Sequence, residues 1–191
     1  MCPNRNSPVH ESLSETSAEL TLDRPGLVRQ VPSTMPQVRH SGSVSTFPNH
    51  SSRNEKILTQ LRSSHPWVIN SRRRNGLILH KRFYTEFAGP GAAVGGGFDD
   101  DCLDVIPLGK LSLLQPETLE DQQKALRIRL QWVRLTQNFT DKPVALERAQ
   151  MILEQFKSYF DQDIVDQVPD EAFAMLVGVL PQTIRKARRI V

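Results

Sequence analysis

Apolar residues recur at helical spacing in the last third of the chain. Across residues 141–160 they follow the i, i+3, i+4, i+7 pattern of one face of a helix. Asp141 and Pro143 stand in front of them and are typical of a helix start, the aspartate as a cap and the proline in the first turn. The spacing predicts an amphipathic helix whose inner face consists of Ala145, Ala149, Ile152, Leu153, Phe156, Tyr159 and Phe160.

The preceding segment, 116–138, predicts a helix with apolar positions on two opposite sides. Pro116, followed by acidic residues, is typical of a helix start, because carboxylates are favourable near the positive end of the helix dipole. Residues 126–132 also alternate as a strand would, but length and propensity favour a helix. A helix with two apolar sides must be covered on both, either by its own domain or by a second subunit, and we expect a homodimer through this helix. The two stripes are Leu119, Leu126, Leu130 and Val133, and Ile128, Trp132, Leu135 and Phe139.

The middle of the chain shows only one strand-like pattern. Residues 77–87, LILHKRFYTEF, are rich in aromatic and branched side chains and predict a short strand. The following stretch, AGPGAAVGGGFDDD, has the composition of a mobile loop. Residues 104–114 predict a short extended piece, which Pro107 and Gly109 interrupt.

The N-terminal stretch has a different composition. Residues 1–55 contain ten serines and six prolines and show neither helical nor strand periodicity. Such a sequence buries too little apolar surface to offset the entropy of ordering, so we expect residues 1–75 to be a disordered tail. A second interpretation is that part of this tail derives from an upstream start codon and that the ordered chain begins near Leu77.

The C-terminal stretch DEAFAMLVGVLPQTIRKARR satisfies the steric requirements of two tightly crossing helices. Ala174 is the small residue at the crossing, and Gly178, four positions later, tolerates the positive φ of the turn. Val179 is the expected buried anchor, and Pro181 opens the second helix. The stretch resembles the helix-turn-helix of bacterial regulators, in which an LAxxLGVSxxTVxRxxR pattern recurs. Leu180 departs from that pattern, because Ser or Thr usually caps the second helix there.

The resemblance implies that the second helix enters the major groove of DNA. Ile184 and Ala187 face inward, while Gln182 can pair with adenine and Arg185 with guanine. The remaining side chains of the outer face are expected to contact a base edge or backbone phosphates. The complete predicted DNA-binding set is Gln182, Thr183, Arg185, Lys186, Arg188 and Arg189.

Other interpretations of these cations stay open. The stretch can be a structural hairpin, since Lys and Arg near a helix C-terminus are favourable for dipole reasons alone, or a surface for an acidic protein. A second basic patch with interleaved aromatic residues predicts an accessory arm on DNA phosphates, or else a solvated linker. That arm consists of Arg72, Arg73, Arg74, Lys81 and Arg82.

Composition and charge narrow the function class. The formal charge is only +3, so the position of the charge matters more than its total. Cys2 and Cys102 suggest no disulfide framework, which favours a reducing, cytoplasmic compartment. No apolar run reaches the 18–20 residues of a membrane span, and no apolar leader is present. We therefore expect no membrane association.

No motif supports catalysis. The glycine-rich stretch lacks the Gly-Lys-Ser/Thr end of a P-loop, and DDDCLD lacks the ligand spacing of an EF-hand. The aspartates can hold an adventitious cation or contact a basic patch of the chain. All five histidines precede residue 81, so no His-containing triad can be assembled in the helical region. We expect neither an enzyme, nor a cofactor, nor a dedicated metal site.

These observations predict a mainly α protein, a small helical bundle that ends in a helix-turn-helix. The expected parts are the tail 1–75, an extended region 76–111 and a helical domain 112–191, with the motif at 170–190. Residues 114–142 are also similar to stretches in small uncharacterised cyanobacterial proteins, which implies a bacterial or plastid-type setting but no function. The predicted function is a DNA-binding transcriptional regulator that binds duplex DNA. The alternative is a non-enzymatic adaptor whose helix 116–138, with its two apolar stripes, binds a partner or itself.

Overall fold

The computed structural model describes residues 52–191 as a mixed α/β fold. The prediction of a mainly α fold is therefore wrong. The strands are β1 (Pro66–Ile69), β2 (Gly76–Lys81), β3 (Thr85–Ala88), β4 (Ala93–Gly95), β5 (Cys102–Leu108) and β6 (Leu113–Leu114). The helices are α1 (Ser52–Leu61), α2 (Leu119–Thr140), α3 (Ala145–Tyr159), α4 (Gln162–Asp166), α5 (Asp170–Val177) and α6 (Pro181–Ala187).

The strands of this range form two small antiparallel sheets. The first has the order β3-β2-β5, and the second has the order β4-β1-β6. In the first sheet, Ile78 of β2 is paired with Phe87 on one side and Ile106 on the other. β2 is thus the central strand, and Leu77–His80 are paired with a neighbouring strand on both sides.

The central strand β2 is buried on both faces. Leu77 and Leu79 belong to a core shared with α1 and the second sheet, whereas Ile78 belongs to the core of the helices. Alternate side chains of a strand point to opposite faces, so one strand separates the two cores. Because the helices share their core with β2, the helical region 112–191 is packed directly on the extended region 76–111.

The strands were difficult to predict because glycine and proline interrupt them. The stretch predicted to be a mobile loop contains β4, and Ala93 and Val94 are buried there. Glycine is required at Gly89, where an added Cβ would lie 2.3 Å from the Trp132 ring. At Gly95, with φ +76°, a Cβ would lie 2.9 Å from the Leu61 carbonyl oxygen. These glycines permit close packing and do not mark mobility.

Ordered structure also begins earlier than the sequence predicts. Both α1 and β1 lie within the tail that was expected to be disordered, while residues 1–51 of that tail lie outside the described residues. α1 buries Ile57, Leu58 and Leu61 against the sheets. Asn54 donates a hydrogen bond to the Val105 carbonyl, which attaches the start of α1 to β5. α1 is stabilised by tertiary contacts that a local composition count cannot detect.

The helices of the last third are close to their predicted positions, with different ends. α2 begins after Thr118, whose side chain forms a capping box with Asp121, and not at Pro116. Asp141 is the C-cap of α2, so its predicted role as the cap of α3 is wrong. The inner face of α3 is buried as predicted except at its ends, where Tyr159 is 42% exposed.

Candidate nucleic-acid interface

α5 ends in a sharp turn at Gly178. This glycine has φ +62° and ψ +48°, the left-handed conformation that glycine adopts at little steric cost. The backbone amide of Val179 donates to the carbonyl of Ala174 at 2.9 Å, which closes the end of the helix. α6 then begins with Pro181 in its first turn. The predicted turn residues therefore lie at a bend between two consecutive helices.

Arg148 of α3 fixes this turn from outside. Its guanidinium donates to the carbonyl of Gly178 at 3.1 Å and to the carbonyl of Lys142 at 2.7 Å. One arginine thus joins the turn between α5 and α6 to the loop between α2 and α3. Nothing in the local sequence marks Arg148, because a solvent-exposed arginine at the same position of α3 would give the same sequence pattern.

α6 has a buried side and an exposed side. Ile184 and Ala187 have no exposed surface and belong to the helical core. α3 packs against both α5 and α6, so three helices hold the turn in place. The side chains of Gln182, Arg185 and Lys186 lie on the exposed side. Thr183 is half-buried, so less of it is available on this surface than of its neighbours.

Arg188 does not lie on the exposed side. Its guanidinium donates to Asp170 at 2.8 Å and to the Val168 carbonyl at 2.7 Å, and lies over the ring of Phe173. It also donates to the Val165 carbonyl. Arg188 therefore ties the end of α6 to the turn between α4 and α5. The expectation that it binds phosphate overlooked these acceptors, which come from residues about 20 positions away.

The other cations of the motif remain accessible. Arg185 contacts Asp170 at 3.4 Å, but 60% of its side chain is exposed. The Asp170 carboxylate is 19% exposed and also accepts a hydrogen bond from Arg188, so Arg185 is accessible but lies beside an acidic group of its own chain. Lys186 is exposed in α6, and Arg189 is exposed in the turn that follows it. The exposed cationic surface therefore lacks Arg188 and is smaller than the sequence predicts.

The residues of the predicted accessory arm do not form one arm. Arg72, Arg73 and Arg74 are exposed in the turn between β1 and β2. Arg82 is exposed in the turn at the opposite end of β2, about 20 Å away for a six-residue strand. Lys81 is 4% exposed and cannot contact DNA phosphates without leaving the core.

Lys81 belongs to a buried ion cluster at the edge of the first sheet. Its Nζ lies 3.2 Å from Asp99 and 3.3 Å from Asp101. Arg129 of α2 binds Asp99 and Glu86, each through two hydrogen bonds of 2.6–3.0 Å. The aspartates after the glycine-rich stretch thus contact cations of the same chain. This cluster joins α2 to the sheet and to the segment before β5.

Burial and pairing act in opposite directions on these groups. Desolvation tends to raise the pKa of Asp99, but hydrogen bonds and the charge of Arg129, with the amide of Gly95, lower it overall. Desolvation tends to lower the pKa of Lys81, and the nearby charge of Asp99 raises it overall. The surrounding groups therefore favour the charged forms of both Asp99 and Lys81.

Three of the four residues of the first predicted stripe of α2, Leu126, Leu130 and Val133, line an open apolar groove of about 890 Å³. Leu130 is 55% exposed. Phe98 and Tyr84, both exposed, also line the groove. The second stripe packs inward, where Phe139 is buried in the helical core. One apolar side of α2 thus remains uncovered in the single chain.

Comparison with known proteins adds no assignment. No protein-family model, curated protein or solved structure gives a significant match to this chain. Within residues 52–191, no helix has the length and apolar character needed to cross a bilayer. In the same range, no three His, Cys, Asp or Glu side chains are grouped so that they can hold a metal ion.

Proposed function

We propose that this chain binds double-stranded DNA as a transcriptional regulator, with α6 in the major groove. The observation that carries the proposal is the tight bend at Gly178, which leaves Ile184 and Ala187 buried and one polar side of α6 exposed. A helix-turn-helix needs this division, because one side locks the second helix and the other contacts bases. The packing of α3 against both helices supports the same interpretation.

The exposed side chains suit the two kinds of DNA contact. Gln182 is placed to pair with adenine, and Arg185 with guanine, through bidentate hydrogen bonds. Lys186 and Arg189 are exposed cations for backbone phosphates, which give affinity without sequence information. Arg188 has no part in these contacts, since it stabilises the turn between α4 and α5.

A second copy of the chain is the proposed occupant of the groove beside α2. The groove contains the charged groups Lys81, Glu86 and Arg129, and each of them already has a partner of opposite charge within the chain. An apolar surface is therefore the best complement. α2 itself, about 33 Å long with Leu130 exposed at its middle, provides such a surface. Dimerisation would present two copies of α6 to two half-sites.

Selection of binding sites from random duplexes tests the function. The full chain is required, because the helices share their core with β2. A fragment 112–191 would expose the helical side chains that pack against Ile78 in the full chain. We expect enrichment of a two-fold symmetric site, and Gln182→Ala should relax the base preference at one position per half-site. Failure to enrich any duplex, at low salt and with a folded chain, would overturn the proposal.

The exposed groove also favours a second candidate, a non-enzymatic adaptor. In that case the groove binds a different protein and α6 is only part of the core. Sedimentation of the chain with and without Leu130→Glu tests the occupant of the groove. A dimer that the substitution converts to a monomer supports the second copy, and duplex binding by that dimer separates the regulator from an adaptor that binds itself. A wild-type chain that is monomeric at all concentrations favours an adaptor for a different protein.

A further inference from the structure

A second concave surface, of about 850 Å³, is lined by cations from three separate segments. Arg53 comes from α1, Arg73 and Arg74 from the turn between β1 and β2, and Lys110 from the turn between β5 and β6. Asp161 is the one carboxylate that lines it, so the lining groups carry a net charge of +3. Positive potential accumulates in such a cleft, because protein walls focus the field.

The turn that carries the arginines is held rigidly. The side-chain amide of Asn75, which is fully buried, donates to the carbonyls of Asn70 and Arg73 at 2.8 and 2.9 Å. Its oxygen accepts the backbone amide of Ser112 at 3.1 Å. The β1–β2 turn is thereby joined to the start of β6. Its arginines are carried on an ordered backbone, so little backbone entropy is lost when they bind an anion.

The two turns also touch through their backbones. Gly109 has φ +64°, and an added Cβ would lie 2.6 Å from the carbonyl oxygen of Arg74. Only glycine permits this approach, which brings the base of Lys110 beside the base of Arg74. The convergence of cations follows from the packing of the two turns, which the local sequence around either turn does not reveal.

The rest of the pocket is apolar. Ile106 and Pro107 of β5 line it together with Ile164 of α4 and Val168, and Gln167 supplies a carboxamide. Small-molecule sites usually have about 300–1,000 Å³, an apolar lining and a few polar groups that fix orientation. The pocket has that size but a more polar lining, with the charges supplied mainly by the turns and a smaller apolar surface supplied by β5 and α4.

We propose that this pocket binds a small organic phosphate of the nucleotide class. The phosphates contact Arg73 and Lys110, because guanidinium and ammonium groups form strong charge-assisted hydrogen bonds with phosphate oxygens. Arg74 lies beside them and also forms an exposed pair with Asp161 at 3.2 Å. The flat ring of the ligand lies on the half-buried apolar surface of Pro107 and Ile164. This site is separate from the exposed side of α6, so it does not depend on the DNA-binding proposal.

Titration calorimetry of the full chain with ADP tests the site, with adenosine and inorganic phosphate as partial probes. We expect ADP to bind about tenfold or more tightly than either part, since both regions of the pocket contribute. The double variant Arg73→Ala/Lys110→Ala should weaken ADP binding about tenfold or more, which corresponds to the loss of one to two charge-assisted hydrogen bonds. The control Arg127→Ala/Arg134→Ala removes the same charge from the exposed side of α2 and should leave binding unchanged.

Amine labelling of the wild-type chain gives a readout that needs no variant. ADP should shield Lys110 from acylation and leave Lys124, an exposed residue of α2, reactive. No ADP binding at millimolar concentration, equal binding of ADP and phosphate, or equal loss in the control variant would overturn the proposal. The proposal would also be overturned if Arg73→Ala/Lys110→Ala weakened the binding of duplex DNA and left the binding of ADP unchanged.

Discussion

Arg129→Met tests whether the buried ion cluster stabilises the domain. All five N–H donors of Arg129 are used, by Glu86, Asp99 and the Ala93 carbonyl, at 2.6–3.1 Å. Methionine leaves Asp99, which has no exposed surface, with Lys81 as its remaining cationic side-chain partner within the cluster. Breaking a buried pair by removing one partner costs about 3–5 kcal/mol. Small domains have about 5–15 kcal/mol in total, so the variant should be marginally folded.

Urea unfolding measures this change through the fluorescence of Trp132, whose ring packs edge-on against Phe87. Arg127→Met, on the exposed side of the same helix, is the matched control and should change the free energy of unfolding by less than about 0.5 kcal/mol. Adding Asp99→Asn to Arg129→Met should recover part of the loss, because it removes one of the three carboxylates that then share Lys81 as their cation. A loss below about 1 kcal/mol for Arg129→Met alone would refute the reasoning, since exposed pairs contribute that little.

Four further predictions concern single residues. Gly178→Ala should lower the free energy of unfolding by about 1–2 kcal/mol through the left-handed backbone alone, since no atom lies within 4 Å of the added Cβ. Thermal unfolding measures this loss, and Gly178→Asn should lose less. Arg188→Ala should destabilise the chain by about 2 kcal/mol through lost charge-assisted hydrogen bonds, whereas Arg189→Ala should leave the urea midpoint nearly unchanged; equal effects would contradict the role of Arg188. The pKa of Asp99 is held below its ordinary value of 3.8, so its stabilisation is present above that pH and is lost as the pH falls through the folded-state pKa. The Asp99→Asn variant should therefore be less stable than the wild-type chain at neutral pH. Its free energy of unfolding should also fall less than that of the wild-type chain on acidification, as measured by urea unfolding at each pH. Burial raises the pKa of the Cys102 thiol to about 12, so a chain with Cys102 as its sole cysteine should react with a thiol reagent at about pH 8 only after unfolding; fast reaction of the native chain would contradict this.

Sequence reasoning succeeded where structure is set by local periodicity. α3 buries most of the apolar face that its 3.6-residue spacing predicts, and the exposed stripe of α2 was visible in the same way. Strand character was also predicted where β2, β3 and most of β5 lie, but β4 in the glycine-rich stretch and β1 in the expected tail were missed. Those strands form through pairing with residues distant in the sequence, which composition does not encode.

The same limit applies to the candidate site. Arg188 and Arg189 are adjacent cations, and nothing in their local sequence indicates that Arg188 forms hydrogen bonds within the chain while Arg189 is exposed. The difference depends on Asp170 and the carbonyls of the α4–α5 turn, which surround one guanidinium and not the other. Lys81 is a similar case, because the acidic residues that bury it lie about 20 positions away.

The salt dependence of duplex binding tests the central claim most directly. Each phosphate contact contributes about 0.9 to the slope of log affinity against log salt, so Lys186→Ala/Arg189→Ala should reduce the slope by about 2. Arg127→Ala/Arg134→Ala, with the same charge removed from α2, should leave the slope nearly unchanged. Equal slopes for both double variants, or no duplex binding by the folded wild-type chain at low salt, would contradict the placement of α6 on DNA.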